Sequence, residues 1–398
     1  MEDELGEIED ACEHTGIYSI IISTFPGCLH TFYGKGVCMA LSCGLIGLAS
    51  CGKTVIFKAI TATRVSSIST SDMNRLVIKV PDQRIEKLVE MYHPHKIVPT
   101  TLEIVDIPGL SVRSGGEGNG FRLLGHIKNV DALIHVVRCF EDGNIPFEHE
   151  TIDPVRDIET VDLELMVADS TTLENKINRL AKKLRMGDKD AVRDNAACEK
   201  VLAGIRQGVP ARRQGLTASE MASIYDCNLV SVKPVLYIAN IKLAEESYSE
   251  HVARLKGIAD VEHTEMIVVR GKDEADITDL EPEEQKEFLR DLGLEESSME
   301  RLVHAAYRTL NLITFFTVGE DEVHAWTCRR GDKAPVAAGK IHTDMEKGFI
   351  RIEVISYDDL IRMGSEAAVA KAGRKRVESR EYQVQDGDTV MVLFNKGK

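Results

Sequence analysis

Gly47-Leu48-Ala49-Ser50-Cys51-Gly52-Lys53-Thr54 matches the pattern G-x-x-x-x-G-K-[ST], and its reading decides the fold. Each position has a chemical reason. The glycines let backbone N–H groups turn inward around phosphate oxygens. Lys53 brings a point charge to the β/γ-phosphates, and Thr54 offers a hydroxyl to Mg²⁺. A helix starting at the loop's end aims its positive pole at the anion. The stretch before the loop, Leu41–Ile46, reads as an apolar strand, and Lys53–Thr61 reads as a helix. The chain is therefore expected to be a P-loop nucleoside triphosphatase, with its nucleotide phosphates on the loop from Gly47 to Thr54.

Outward from the loop, short apolar strands alternate with helices. Leu102–Ile107 runs into Pro108-Gly109, and Ala132–Arg138 is apolar almost throughout, as a parallel strand covered on both faces must be. This is an α/β pattern, a parallel-rich sheet with helices on both faces. Asp106-Ile107-Pro108-Gly109 is a D-x-x-G element at a strand end, where an aspartate holds Mg²⁺ through water. Thr70 is a candidate second hydroxyl for the ion, although the residues alone do not choose it over Ser67, Ser69 or Ser71. The glycine-rich loop Ser114–Gly120 suits a switch segment ordered by the γ-phosphate.

From 153 to 230 the grammar changes. Leu163, Met166, Leu173, Ile177, Leu180 and Leu184 fall at a/d spacing, Gly187-Asp188 breaks the run, and Ala191, Cys198, Val201 and Ile205 return. The spacing predicts a helical hairpin inserted in the sheet, with a basic tip of Arg179, Lys182, Lys183, Arg185 and Lys189. Sheet grammar resumes at Pro234–Asn240 and Glu265–Arg270. The block 310–395 reads as a separate small α+β module, with strands at Ala325–Cys328, Phe349–Val354 and Val390–Phe394. The expected domains are 39–152 with 231–305 for the sheet, 153–230 for the hairpin, and 310–395. Residues 1–38 show little periodicity and are expected to be an extension, either upstream of a biological start at Met39 or a native but poorly ordered tail.

Composition sets the class. The 398 residues carry a formal net charge of −15, with 43% hydrophobic and 28% charged residues. Such a charge argues against whole-surface affinity for DNA or anionic membranes, so neither is an expected partner. Apolar runs fall short of the ~18 residues of a membrane span. Nine cysteines without a C-x-x-C pair read as reduced thiols in a cytoplasmic protein.

Base choice rests on the end of the strand Pro234–Ala239, Asn240-Ile241-Lys242-Leu243. Guanine readers place a carboxylate three residues after the asparagine. Here that position is Leu243, which removes the main reason to prefer guanine, and Asn240 is free to meet the N6/N7 edge of adenine.

At this point the chain resembles the YchF-type Obg-like ATPases, a branch of the translation-factor P-loop GTPases. The resemblance runs from Met39 to Asn395. It is carried by Cys43–Gly47, Pro99-Thr100-Thr101, Asp106–Gly109, His135–Glu141, Tyr237–Asn240 and His342–Arg351. It implies a G domain, an inserted coiled coil and a C-terminal TGS domain. It further implies Mg²⁺-dependent hydrolysis of ATP in preference to GTP, and association with the ribosome or its large subunit. By position it assigns phosphate contacts to Ser50–Val55, Mg²⁺ to Thr54 and Thr70, and a base contact to Ile241 beside Asn240. The chain departs from the pattern at Ser50-Cys51, where the family has Asn-Val, and at Leu243, where it has glutamate. The family's water-positioning histidine aligns with Phe147, and the nearest histidine is His149. Either His149 substitutes through loop movement or hydrolysis is weak. Two rivals stay open: a true GTPase of the same fold, and a nucleotide-binding scaffold with negligible turnover. The run Lys371–Arg376, with Arg329-Arg330, is a candidate contact to rRNA phosphates.

Overall fold

The computed structural model describes residues 18–19, 41–70, 74–108, 125–147, 149–243, 249–277 and 297–395, with positions 246, 280, 284, 285 and 287. Apart from Tyr18–Ser19, the expected extension 1–38 lies outside the described residues, as does the Ser114–Gly120 loop. The chain divides into two compact units. One holds Leu41–Ile78 and Leu102–Leu310; the other holds Lys79–Thr101 and the chain from Asn311 onward.

In the first unit seven strands stand in the order β2 (Val65–Thr70), β3 (Asn74–Lys79), β5 (Thr101–Asp106), β1 (Ser42–Ile46), β6 (Ala132–Arg138), β7 (Val235–Asn240) and β8 (Met266–Val269). The β2–β3 pair is antiparallel, whereas β5, β1, β6, β7 and β8 run parallel. Every residue of β1, β6 and β7 is buried, which fits their largely apolar sequences. Helix α1 (Lys53–Arg64) leaves the end of β1, and α7 (Gly271–Ile277) packs on it. Helices α6 (Glu250–Val261) and α8 (Ser298–Thr309) contact the β7–β8 end of the sheet. Ser297 and Glu300 form a capping box at the start of α8.

The hairpin is α3 (Pro154–Arg185) and α4 (Lys189–Arg206), with the short α5 (Ala218–Ile224) packed on α4. The 32 residues of α3 span ~48 Å at 1.5 Å per residue. Gly187 has φ +73°, and Asp188 caps α4, so the break sits where the sequence put it. The a/d register needs correction. Leu163 is 56% exposed, whereas Leu165, Met166, Asp169, Leu173 and Lys176 are buried. The two buried charges escaped an apolar pattern because backbone groups satisfy them. Asp169 accepts from Val230 N (2.8 Å) and Ser231 N (2.7 Å), and Lys176 donates to Ser223 O at 2.6 Å.

The second unit carries strands in the order β12 (Arg376–Glu378), β11 (Phe349–Ser356), β13 (Asp388–Phe394), β9 (Leu312–Thr317), β10 (Glu322–Arg329) and β4 (Lys96–Val98). Tyr18–Ser19 pairs antiparallel with Phe394 and Leu393 of β13. One core gathers Phe315, Val354 and Val392 with Ala337 of α9 (Ala334–Ile341) and Met345 of α10 (Thr343–Lys347). A second core gathers Phe316 and Ile355 with Ile85 and Leu88 of α2 (Gln83–Tyr92), Leu360 of α11 (Tyr357–Met363) and Val369 of α12 (Glu366–Lys371). Segment 79–101, expected in the G domain, thus builds the C-terminal unit. Its β4 pairs in parallel with β10, and Arg84 bridges Asp82 and Asp386, each at 2.8 Å.

Candidate nucleotide site

The loop after β1 takes its shape from three residues with positive φ: Gly47 (+147°), Ser50 (+59°) and Gly52 (+102°). Two of these must be glycine. A Cβ on Gly47 would stand 2.4 Å from Val136 O, and one on Gly52 would stand 2.1 Å from Asn240 Nδ2. The first N–H bonded into α1 is that of Ile56, which reaches Gly52 O at 3.0 Å. The amides of Lys53, Thr54 and Val55 precede it and face out of the helix end, an array suited to an anion.

Lys53 is 8% exposed. Its Nζ donates to Gly47 O (3.0 Å) and Leu48 O (2.9 Å), arching back over the loop. The ammonium is thereby held at the loop's centre, ready to exchange carbonyl for phosphate oxygens. Cys51 is buried below it, and burial pushes its thiol up against the opposing pull of Lys53. This thiol is a neutral packing group rather than a nucleophile.

Asn240, at the end of β7, is a brace. Its Nδ2 donates to Cys51 O at 2.9 Å, and its Oδ1 accepts from Gly271 N at 3.2 Å. One side chain thus joins the loop, the central sheet and the start of α7. Only one amide hydrogen and one lone pair remain for a base. Ile241 is 3% exposed, with its side chain in the sheet core. Its N–H is spent on Val269 O at 2.9 Å, so its carbonyl is the group left for a base. Leu243 is 56% exposed. A carboxylate sits close by that spacing did not reveal: Glu246 Oε2 accepts from Lys242 N (2.6 Å) and Leu243 N (2.9 Å).

Asp106 closes β5 opposite Leu45 of β1, and the next residue donates from Ile107 N to Leu45 O at 3.2 Å. The register therefore sets Asp106 on the strand beside the one that feeds the loop. Thr54 is exposed on the first turn of α1. Thr54 and Asp106 offer the hard oxygens that Mg²⁺ takes. Thr70 ends β2, and its side chain lies outside the described residues.

Sequence reasoning quoted Arg138 without assigning it a role. The residue is 2% exposed. Its guanidinium donates to Phe140 O (3.1 Å), Asp142 O (3.2 Å) and Ile145 O (3.4 Å). It also lies over the rings of Phe140 (4.6 Å) and Phe147 (4.9 Å). A lone arginine ending an apolar strand was the available signal. Phe147 packs against the sheet core. His149 meets Phe147 edge-on at 6.1 Å, and its buried Nε2 has no hydrogen-bond partner. Asp157, in the first turn of α3, has a buried Oδ2 that likewise lacks one. Burial raises the Asp157 carboxyl, with Arg156 opposing most strongly and His149 after it.

Comparison with known proteins finds relatives over most of the chain. A family described as 50S ribosome-binding GTPase matches residues 42–192. The YchF-GTPase_C family, described as of unknown function, matches 312–395. A Bacillus subtilis protein named ribosome-binding ATPase YchF is 43% identical over 365 residues, covering 90% of this chain and all of that one. An Escherichia coli O157:H7 protein of the same name is 41% identical over 362 residues, with the same coverage. The solved structure of the Schizosaccharomyces pombe YchF GTPase superposes with a TM-score of 0.78 at 31% identity, covering 88% of this chain and 97% of that one.

Proposed function

The chain belongs to the YchF family, and from that premise we propose that it is a Mg²⁺-dependent nucleoside triphosphatase that hydrolyses ATP in preference to GTP and docks on the ribosome. The observation that carries the reading is the anion cradle: outward amides at the start of α1 with the Lys53 ammonium held 2.9–3.0 Å from loop carbonyls. Ser50 to Val55 bind the phosphates, and Lys53 meets charge building on the γ-phosphate. Thr54, Thr70 and, through water, Asp106 hold Mg²⁺, which neutralises phosphate charge when bound. Asn240 and Ile241 contact the base, and His149 positions water after its loop rearranges. The test is phosphate release with ATP and GTP, with Lys53→Ala as blank. ATP turnover is expected to fall at least ~100-fold in the variant. Tighter binding of GTP than ATP would favour the GTPase reading, and wild-type release equal to the blank would favour the scaffold.

For ribosome docking the structure supports one basic patch over another. In the C-terminal run, Arg374 faces Asp359 (3.3 Å), Lys375 faces Glu353 (2.5 Å) and Arg376 faces Glu378 (3.3 Å). At the hairpin tip Arg179, Lys182, Lys183, Arg185 and Lys189 are all exposed. We therefore assign rRNA phosphate contact to the tip. Cosedimentation with large subunits across a salt series tests this. Changing Lys182, Lys183 and Arg185 to serine should weaken binding and flatten its salt dependence, and unchanged binding would remove the tip from the interface.

A further inference from the structure

The C-terminal unit contains a cavity of about 490 Å³ that the nucleotide chemistry does not use. Its origin is topological. Strand β9 ends at Thr317 and touches β13 through one registered pair, Phe316 and Thr389. Beyond that pair β13 runs on to Phe394, and among the described residues Tyr18–Ser19 pairs with its last two. Among the described residues, the β13 backbone between Val390 and Val392 has no strand partner on that side, and the cavity lies beside it.

Its lining has two characters. Trp326, Ile341, Met345 and Val390 make apolar walls. The Trp326 indole N–H is already spent on Thr317 Oγ1 at 2.9 Å, leaving a ring with no polar demand. Against these walls stand polar groups with unmet capacity. Thr389 is 6% exposed, and its buried Oγ1 has no hydrogen-bond partner. Glu353 Oε2 lies 2.5 Å from Lys375 Nζ, yet it lacks a well-angled donor. The Glu353 side chain is 21% exposed and paired with Lys375, but its buried Oε2 keeps a free lone pair, and the unsatisfied Thr389 hydroxyl is costly unless something completes it. Glu320, Glu322 and Glu366 also line the cavity, with Lys375 as the one ammonium among the described lining residues, so that lining is net negative.

We propose that this cavity binds a small molecule with an aromatic or apolar body and a protonated amine. The amine donates to Glu353 Oε2 and to the Thr389 hydroxyl, and the body covers the Trp326 wall. The volume lies within the range of small-molecule sites, and apolar walls with a few convergent polar groups are their usual make-up. The site lies wholly in the C-terminal unit and stands apart from the nucleotide reading.

The chain contains one tryptophan, so its emission reports directly on the cavity. Full-length protein would be titrated with phenethylamine, phenethyl alcohol and phenylacetate, which share a ring and differ in charge. The amine is expected to saturate the signal at millimolar concentration, binding at least ~10-fold tighter than the acid, with the alcohol between them. Glu353→Gln should erase the amine's advantage, and Thr389→Val should weaken it several-fold. Absence of a saturable change with the amine, or equal binding of amine and acid, overturns the proposal. That ranking is read on the wild-type chain, so poor folding of a variant leaves the test intact. A variant that folds and keeps the full amine preference would equally overturn the assigned contacts.

Discussion

At the scale of single residues, the nucleotide loop is defined by what each backbone position must do. Gly47–Thr54 was legible because the motif's demands are local. The brace by Asn240 was not, since it joins residues 189 positions apart and no spacing rule reaches that far. Sequence suggested that Asn240 reads the base; in the structure its side chain ties the loop to α7. Asn240→Ala should leave Cys51 O and Gly271 N without partners, costing about 1–3 kcal/mol. Urea unfolding measures the loss, and nucleotide affinity should fall with it. Gly52→Ala should also weaken nucleotide binding, because its new methyl would displace the same amide and strain a residue at φ +102°; equilibrium binding checks it.

Elements show where patterns mislead. The hairpin was visible from its apolar period and its glycine break, but the buried register was not, because charges hold part of it. Arg212 is the clearest case. It donates to Asp162 of α3 (2.7 Å) and to Glu262 just after α6 (3.1 Å), and it also reaches Tyr237 of β7 (3.3 Å). These partners lie on three elements, so the guanidinium locks the base of the hairpin to the sheet. Arg212→Ala takes from buried Asp162 its nearest cation and leaves Glu262 to Arg213 and the Tyr237 hydroxyl, and should cost about 3 kcal/mol in chemical denaturation. Strand β6 carries a pH-dependent counterpart in His135. The residue is 2% exposed. Burial, with the charges of Arg212 and Lys53, pushes its imidazole down to about 3. Below the ordinary value of 6.5 the unfolded chain binds a proton that the folded chain refuses. Stability therefore rises with pH across this window and is lost as pH falls from about 6.5 toward 3, by about 1.4 kcal/mol per unit. His135→Leu should flatten that dependence when denaturation is compared at pH 7 and pH 5.

For the whole molecule, the decisive fact is that the chain visits its two units in alternation. Calorimetry should resolve two transitions, and MgATP should raise only that of the unit holding Lys53, since a ligand stabilises the unit that binds it. The α/β grammar and the small C-terminal module were legible from periodicity and turn residues. The placement of 79–101 was not, because an amphipathic helix and a short strand declare only that they need an apolar partner, not which one. Ile85 and Leu88 find theirs beside Phe316 and Ile355.

That exchange has a consequence for synthesis. Strand β4 ends at Val98, and its neighbour β10 begins at Glu322. At ~5–20 residues per second, α2 and β4 leave the ribosome some ten to forty seconds before the strands they must join. Through that interval a nascent chain carries a sticky apolar stripe and an unclaimed strand edge, an opening for chaperones or for a neighbouring copy on the same message.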